Sequence, residues 1–198
     1  FEIMVQYYKE NPVPLRTRLF ASAEVLARIG CATAPLSNWF LASPLWPPVA
    51  RMIGVAPQRR LPPYARPTFD AWWRRRPGRP QGQRPVVALF VDTWANYNEP
   101  QVARAAVRLL EAAGFAVEPA RKVCCGRAAI SKGLIEPVRR AARRNLELLS
   151  PYVEAGIPIV GLEPSCILTL REEYPWLYPG ERSQALARGS FTFEEFLA

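Results

Sequence analysis

Three cysteines in the second half of the chain are the residues best suited to do chemistry. Cys124 and Cys125 are adjacent and precede Gly126, and Cys166 stands where a helix is expected to begin. Thiolates hold metals and iron–sulfur clusters and take part in thiol–disulfide exchange. A glycine directly after the pair lets the backbone adopt a positive φ or approach a bulky ligand. This pattern predicts a functional thiol site rather than three separate buried cysteines.

These candidate ligands are compatible with several kinds of site. Iron–sulfur clusters are usually held by four thiolates, one more than these three cysteines supply. Glu163 could complete a zinc site with them, although the Cys-x-x-Cys pairs of structural zinc sites are missing. A disulfide between Cys166 and one of the adjacent pair would instead make a thiol–disulfide relay. The fourth cysteine, Cys31, follows a helix predicted over 14–29 that we expect to end at Gly30, and we interpret it as structural.

Composition excludes some chemistry and suggests a compartment. The 198 residues contain no histidine, which excludes Ser-His-Asp and Cys-His catalysis and every histidine-ligated metal site. Adjacent cysteines do not suit the disulfide framework of a secreted protein. The first residues show no basic segment followed by an apolar run, so we expect no signal peptide. We therefore predict a cytoplasmic protein, with peripheral contact to the inner face of the membrane as an alternative.

The elements that would position the cysteines alternate between strands and helices. Apolar runs predict strands at 86–91, 115–118 and 158–161, and patterns of period 3.6 predict helices at about 99–113 and 133–155. Such alternation implies right-handed crossovers. The predicted fold is α/β, a small, mostly parallel, doubly wound sheet, preceded by a helical and irregular extension rich in Arg and Pro. The tail beyond Trp176 is expected to be peripheral.

Loops after the three predicted strands carry the candidate site. The carboxyl ends of parallel strands share one edge of a sheet, where ligands bind between diverging helices. We therefore expect the three loops to converge. The candidate cofactor-binding residues are Thr93, Cys124, Cys125, Gly126 and Cys166, and the candidate metal ligands are the three cysteines and, more weakly, Glu163.

The first half of the chain differs in composition from the second. We predict a helical segment at 1–55, a Pro- and Arg-rich linker or strap at 56–84, and the α/β domain at 85–198. Residues 51–84 hold nine Arg and one acid, Asp70, within a net charge of +9. The stretch fits a strap docked on an acidic partner; no nucleic-acid-binding motif accompanies it, so we expect no nucleic-acid partner. Prolines interrupt the apolar stretch 39–55, which favours contact with a membrane surface or a partner over a spanning helix.

Residues 86–176 resemble the cysteine-rich CCG domain shared by the iron–sulfur subunit of glycolate oxidase, the C subunit of anaerobic glycerol-3-phosphate dehydrogenase and the B subunit of heterodisulfide reductase. The resemblance rests on the segments 91–100, 124–127 with 131–133, and 161–166. A complete family repeat has a first Cys, then Cys-Cys-Gly, then Cys-x-x-Cys. Here Thr93 matches the first Cys, and Glu163 matches the first Cys of the last pair.

The chain is still more similar to the C-terminal region of FAD-linked oxidases of the D-lactate and D-2-hydroxyglutarate dehydrogenase type. The resemblance implies an electron-transfer domain associated with a [4Fe-4S] cluster, itself without catalytic residues. It also implies partner modules, a flavin module that carries FAD and a ferredoxin-like module, in the same polypeptide or complex; the chain is then a fragment that begins after the latter. The alternative is a degenerate, non-catalytic docking module that holds these modules or a membrane surface.

Overall fold

The computed structural model describes residues 2–77 and 84–198. Within residues 2–77, the chain forms six helices: α1 Glu2–Glu10, α2 Leu15–Ala21, α3 Ala23–Ala32, α4 Leu36–Ala42, α5 Trp46–Met52 and α6 Phe69–Arg75. The sheet region follows with β1 Val86–Phe90, α7 Thr93–Tyr97, α8 Pro100–Ala112, β2 Ala116–Pro119, α9 Arg127–Ile130, α10 Ile135–Glu154 and β3 Ile159–Gly161. The chain closes with α11 Pro164–Leu168, a π-helical turn Thr169–Glu173, α12 Tyr174–Leu177, α13 Glu181–Arg188, β4 Ser190–Thr192 and α14 Phe193–Leu197.

The four strands form one parallel sheet in the order β2-β1-β3-β4. Strand β1 lies in the middle, with Val87 opposite Val117 of β2 and Leu89 opposite Val160 of β3. With partners on both sides and helices on both faces, this strand is buried from Val87 to Phe90, which explains the uninterrupted apolar run in its sequence. The predicted α/β class with a small parallel sheet is confirmed.

Side chains of β1 alternate between two cores, one on each face of the sheet. Ala88 and Phe90 belong to a cluster filled by α9, α10, α12 and α13. Val87 and Leu89 belong to a second cluster filled by α6, α7 and α8. Helices therefore cover both faces, as the doubly wound prediction requires, and the crevice at the carboxyl edge opens between the two layers.

Two sequence-based expectations about elements are wrong. The tail beyond Trp176 is not peripheral, because it supplies the fourth strand and Leu186, which is fully buried. The helix predicted over 14–29 is two helices that meet at Ser22, and the second continues past Gly30 to Ala32. Gly30 does not end a helix; a Cβ at this position would collide with the ring of Tyr64, so the glycine permits close packing.

The extension packs onto the sheet region through specific contacts. The Cys31 thiol donates a hydrogen bond to the Tyr97 carbonyl at 3.2 Å, and Asn38 forms two hydrogen bonds with the backbone of Tyr64. Cys31 is thus a buried packing residue of α3.

The strap is described up to residue 77 and from 84; Arg79 of the predicted basic stretch lies outside the described residues. Among the described helices, none has the length and apolar character needed to cross a membrane.

Candidate functional site

The loop after β1 is fixed by a buried cap. Asp92, which is 5% exposed, accepts hydrogen bonds from the backbone amides of Trp94 at 2.7 Å and Ala95 at 3.1 Å. This N-cap starts α7 and places Thr93 at the edge of the sheet. Burial raises the pKa of Asp92, against the effect of these two hydrogen bonds.

The Cys-Cys-Gly loop is held by a buried polar network. Asn145 accepts a hydrogen bond from the Val123 amide at 2.8 Å and donates to the carbonyls of Val123 and Cys124. Asn145 also donates to the Tyr174 hydroxyl at 2.8 Å, which in turn donates to the Cys125 carbonyl at 2.9 Å. Both side chains are fully buried, so their polar groups are committed to this loop.

Gly126 completes the turn after the cysteine pair. It has a φ of 91°, in the left-handed region that disfavours other residues, and it directly precedes α9. The positive φ expected of this glycine is therefore present.

Cys166 lies in the first turn of α11, just after β3. Glu163 caps this helix: its carboxylate accepts hydrogen bonds from the Ser165 amide at 3.3 Å and from the Ser165 hydroxyl at 2.8 Å. The sequence suggests Glu163 as a weaker metal ligand, whereas the contacts it makes in the structure are those of a helix cap.

The three loops bring the sulfur atoms together. The Cys125 thiol donates to the Cys166 sulfur with an Sγ–Sγ distance of 3.0 Å, and the Thr93 hydroxyl lies 4.0 Å from the Cys124 sulfur. The hydrogen bond between Cys124 and Cys125, followed by burial, raises the pKa of Cys124. The same bond lowers the pKa of Cys125, but its bond to Cys166 and its burial outweigh this and raise it overall. Burial and the hydrogen bonds between the thiols therefore favour the protonated form of the adjacent pair.

A cavity of about 590 Å³ opens above the three cysteines, and the extension forms its other wall. Leu26 and Ala27 of α3 line it together with Leu61 and Tyr64 of the strap. The Glu24 carboxylate, also from α3, accepts a hydrogen bond from the backbone amide of Cys124 at 3.1 Å. Thr93 and Glu163 line the same cavity.

Sequence reasoning did not find Glu24, Asn145 or Tyr174. Each lies on a helix whose sequence pattern is already accounted for by packing or by solvent exposure, so the pattern does not mark the residue as functional. Only the buried position of Asn145 on the apolar side of α10 could have marked a polar residue with a specific partner.

The donor set does not fit a four-thiolate iron–sulfur cluster. Three thiols are present, and at the two remaining positions Thr93 approaches Cys124 and Glu163 caps a helix. Within residues 2–77 and 84–198, no group of three or more Cys, Asp or Glu side chains is arranged to hold a metal ion.

Comparison with known proteins supports the resemblance found in the sequence. Residues 87–171 match the family model of the cysteine-rich domain CCG. The C subunit of anaerobic glycerol-3-phosphate dehydrogenase from Escherichia coli (strain K12) is 29% identical over 174 residues, which cover 85% of this chain and 43% of that protein.

Two other relatives align over a shorter part of the chain. Lactate utilization protein A of Bacillus thuringiensis (strain Al Hakam) is 31% identical over 117 residues, 56% of this chain and 47% of that protein. The D-2-hydroxyglutarate dehydrogenase of Escherichia coli (strain K12) is 28% identical over 99 residues, 50% of this chain and 10% of that protein.

The chain spans less than half the length of these relatives. No solved structure shows a significant match. The resemblance to the CCG domain is confirmed over residues 87–171, and this domain is similar to parts of proteins named as dehydrogenases.

Proposed function

We propose that this chain is the cysteine-rich electron-transfer domain of a flavin- and iron–sulfur-linked dehydrogenase that oxidises a small 2-hydroxy acid. The observation that carries the proposal is the meeting of Cys124, Cys125 and Cys166 in one cavity at the carboxyl edge of the sheet. The relatives whose names specify dehydrogenases support the reaction class. Oxidation of the substrate itself belongs to a flavin module, in the same polypeptide or in the complex.

In this proposal the chain's own residues form the cysteine site and hold it in place. Asn145 and Tyr174 fix the backbone of the Cys-Cys-Gly loop, and Glu24 ties the same loop to the extension. The cavity walls from α3 and the strap shield the sulfur atoms, with Cys125 only 2% exposed. No electron-transfer step is assigned to a cluster on this chain, because the donor set does not fit one.

The experiment is turnover of the assembled dehydrogenase with serine variants of the cysteines. The substrates are D-2-hydroxyglutarate and lactate, the 2-hydroxy acids that the relatives' names contain, and glycerol 3-phosphate is the comparison substrate outside this class. We expect Cys125→Ser and Cys166→Ser to stop electron delivery to an external acceptor while the flavin is still reduced by substrate. Cys31→Ser is the matched control, since this thiol lies outside the cavity of the three cysteines and its hydrogen bond to the Tyr97 carbonyl can also be donated by a serine hydroxyl. Full turnover in the variants of the cavity cysteines would contradict the proposal.

A second candidate function, docking of a partner, is favoured by an arginine-lined cavity on the other side of α3. This cavity of about 890 Å³ is bordered by Arg28, Arg66, Arg74 and Arg75. Asp70, the acid that borders it, is hydrogen-bonded to the Asn96 side chain at 2.8 Å. Among the described acidic side chains, none lies within 4.0 Å of Arg28, Arg74 or Arg75. Unpaired guanidinium groups suit an acidic surface of a flavin or ferredoxin-like module.

Charge reversal tests the docking function. We expect Arg74→Glu combined with Arg75→Glu to weaken co-purification with the flavin-bearing partner, and the loss to be larger at low salt. Arg139→Glu with Arg140→Glu, on the exposed face of α10, is the matched control. Equal recovery of the complex with both double variants would exclude docking through this cavity.

We also propose a cytoplasmic location, with contact to the inner face of the membrane as its alternative form. Large apolar side chains of the extension are strongly exposed, among them Leu36, Trp39, Leu45 and Met52. Such side chains beside basic residues suit an anionic membrane surface. Flotation of the full chain with anionic vesicles, and its loss in Trp39→Ser, would support membrane contact; no flotation would leave the purely cytoplasmic form.

A further inference from the structure

We infer that Cys125 and Cys166 form a reversible disulfide, so that the site works as a two-electron dithiol pair rather than as a ligand set for a metal. The inference deepens the proposed function, because it names the chemistry of the same site. It starts from a disagreement: a domain of the CCG type has here three thiols at the site, one fewer than a four-thiolate cluster needs.

Distance and direction favour this pair over the other combinations. The two sulfur atoms are 3.0 Å apart, about 1 Å more than a disulfide bond, so small side-chain movements suffice to join them. Cys124 and Cys125 are neighbours in sequence, and a disulfide between adjacent residues requires a strained ring. Cys124 instead faces the Thr93 hydroxyl.

A thiol–disulfide relay needs one cysteine that a partner can reach and one that is shielded, and the two cysteines differ in this way. Cys166 is half-buried and lines the cavity, whereas Cys125 is 2% exposed. Cys166 also accepts the hydrogen bond from Cys125, so the two sulfur atoms already face each other. Cys166 is therefore the sulfur that reacts with an incoming partner, and Cys125 is the resolving thiol.

The reaction balances with a low-molecular-weight disulfide as oxidant. The Cys166 thiolate attacks one sulfur of this disulfide, a mixed disulfide forms, and one thiolate leaves. Cys125 then attacks the Cys166 sulfur, its proton passes to the departing second thiolate, and the Cys125–Cys166 bond closes. The two protein thiols lose two electrons and two protons, and the oxidant becomes two thiols.

The site fits this exchange because its polar surroundings do not depend on the thiol hydrogens. The backbone of the loop is held by Asn145, Tyr174 and Glu24, so closing the disulfide need not break these hydrogen bonds. Gly126 supplies the turn next to Cys125 in either state.

Thiol trapping on the full chain tests the inference. The chain is reduced, treated with chelator, equilibrated with mixtures of reduced and oxidised glutathione, denatured in alkylating agent and measured by mass spectrometry. We expect the intact mass to fall by two hydrogens and the Cys125 and Cys166 peptides to lose their alkylation together. Cys31 and Cys124 should remain alkylated at every ratio.

Variants make the test specific. Cys124→Ser and Cys31→Ser should keep the internal disulfide, whereas Cys125→Ser should stop at a mixed disulfide of Cys166 with glutathione. An unchanged mass at every ratio, a Cys124–Cys125 bond, or stoichiometric zinc or iron bound to the purified chain before chelator is added would overturn the inference.

The result is separable from that of the proposed function. If no internal disulfide forms but Cys125→Ser stops turnover of the dehydrogenase, the dithiol is wrong and the electron-transfer role stands. If the disulfide forms and the same variant turns over normally, the dithiol stands and the electron-transfer role is wrong.

Discussion

Replacing Tyr174 by Phe removes one oxygen from the centre of the polar network and leaves the ring in the core. The hydroxyl donates to the Cys125 carbonyl at 2.9 Å and accepts from Asn145 at 2.8 Å, in a fully buried position. Each such hydrogen bond contributes about 1 kcal/mol, and the carbonyl of Cys125 would lose this partner. We expect Tyr174→Phe to lower the free energy of unfolding by about 2 kcal/mol.

Urea denaturation followed by circular dichroism gives this free energy, and a matched control is available nearby. The hydroxyl of Tyr178 donates one exposed hydrogen bond to the Arg139 carbonyl at 3.2 Å. Tyr178→Phe should therefore change the free energy of unfolding by less than about 0.5 kcal/mol. Tyr174→Phe should also shift the ratio of reduced to oxidised glutathione at which the Cys125–Cys166 disulfide forms, since the loop that carries Cys125 has then lost a hydrogen bond. Equal stability of the two variants, with an unchanged ratio, would refute the positioning role of Tyr174.

Substitutions at three further residues test the loops of the site and the packing of the extension. Asp92→Ala should cost about 1 kcal/mol through loss of the helix cap. Burial raises the pKa of Asp92, so its charge in the folded protein reduces stability as the pH rises. The stability of Asp92→Asn relative to the wild type should therefore increase in denaturation curves as the pH rises above the ordinary pKa of an aspartate. Gly126→Ala should lower the free energy of unfolding by about 1 kcal/mol because of its φ of 91°. Arg76→Ala should cost about 3 kcal/mol in urea denaturation, because it leaves Glu111, whose side chain is 13% exposed, without its ion-pair partner. Effects below about 0.5 kcal/mol would contradict the reasons given for Gly126 and Arg76.

The sheet was predictable because its strands are short, apolar and separated by amphipathic helices. The run at 86–91 indicates burial on both faces, and β1 is buried on both faces. The fourth strand was not predictable in the same way, because Ser190–Thr192 has three residues and no apolar run. The boundaries proposed for the front segments, 1–55 and 56–84, stay predictions.

The position of the cysteine site could be predicted from the topology of the sheet, but the contacts between its side chains could not. Strand ends of a parallel sheet share an edge, which is why loops far apart in sequence could be expected to meet. Which sulfur atoms come within 3.0 Å, however, depends on hydrogen bonds of Asn145 and Tyr174 that leave no pattern in the sequence. The contribution of Glu24 and Tyr64 to the site was equally hidden, because it depends on how the extension folds back over the sheet.

The most direct test of the central proposal is a single-turnover measurement on the assembled dehydrogenase, with flavin absorbance followed after one pulse of substrate. The proposed function predicts that flavin reduction is unchanged in the Cys125→Ser/Cys166→Ser double variant, while its reoxidation by the external acceptor is lost. Reoxidation at the wild-type rate in the double variant would contradict an electron-transfer role for this domain.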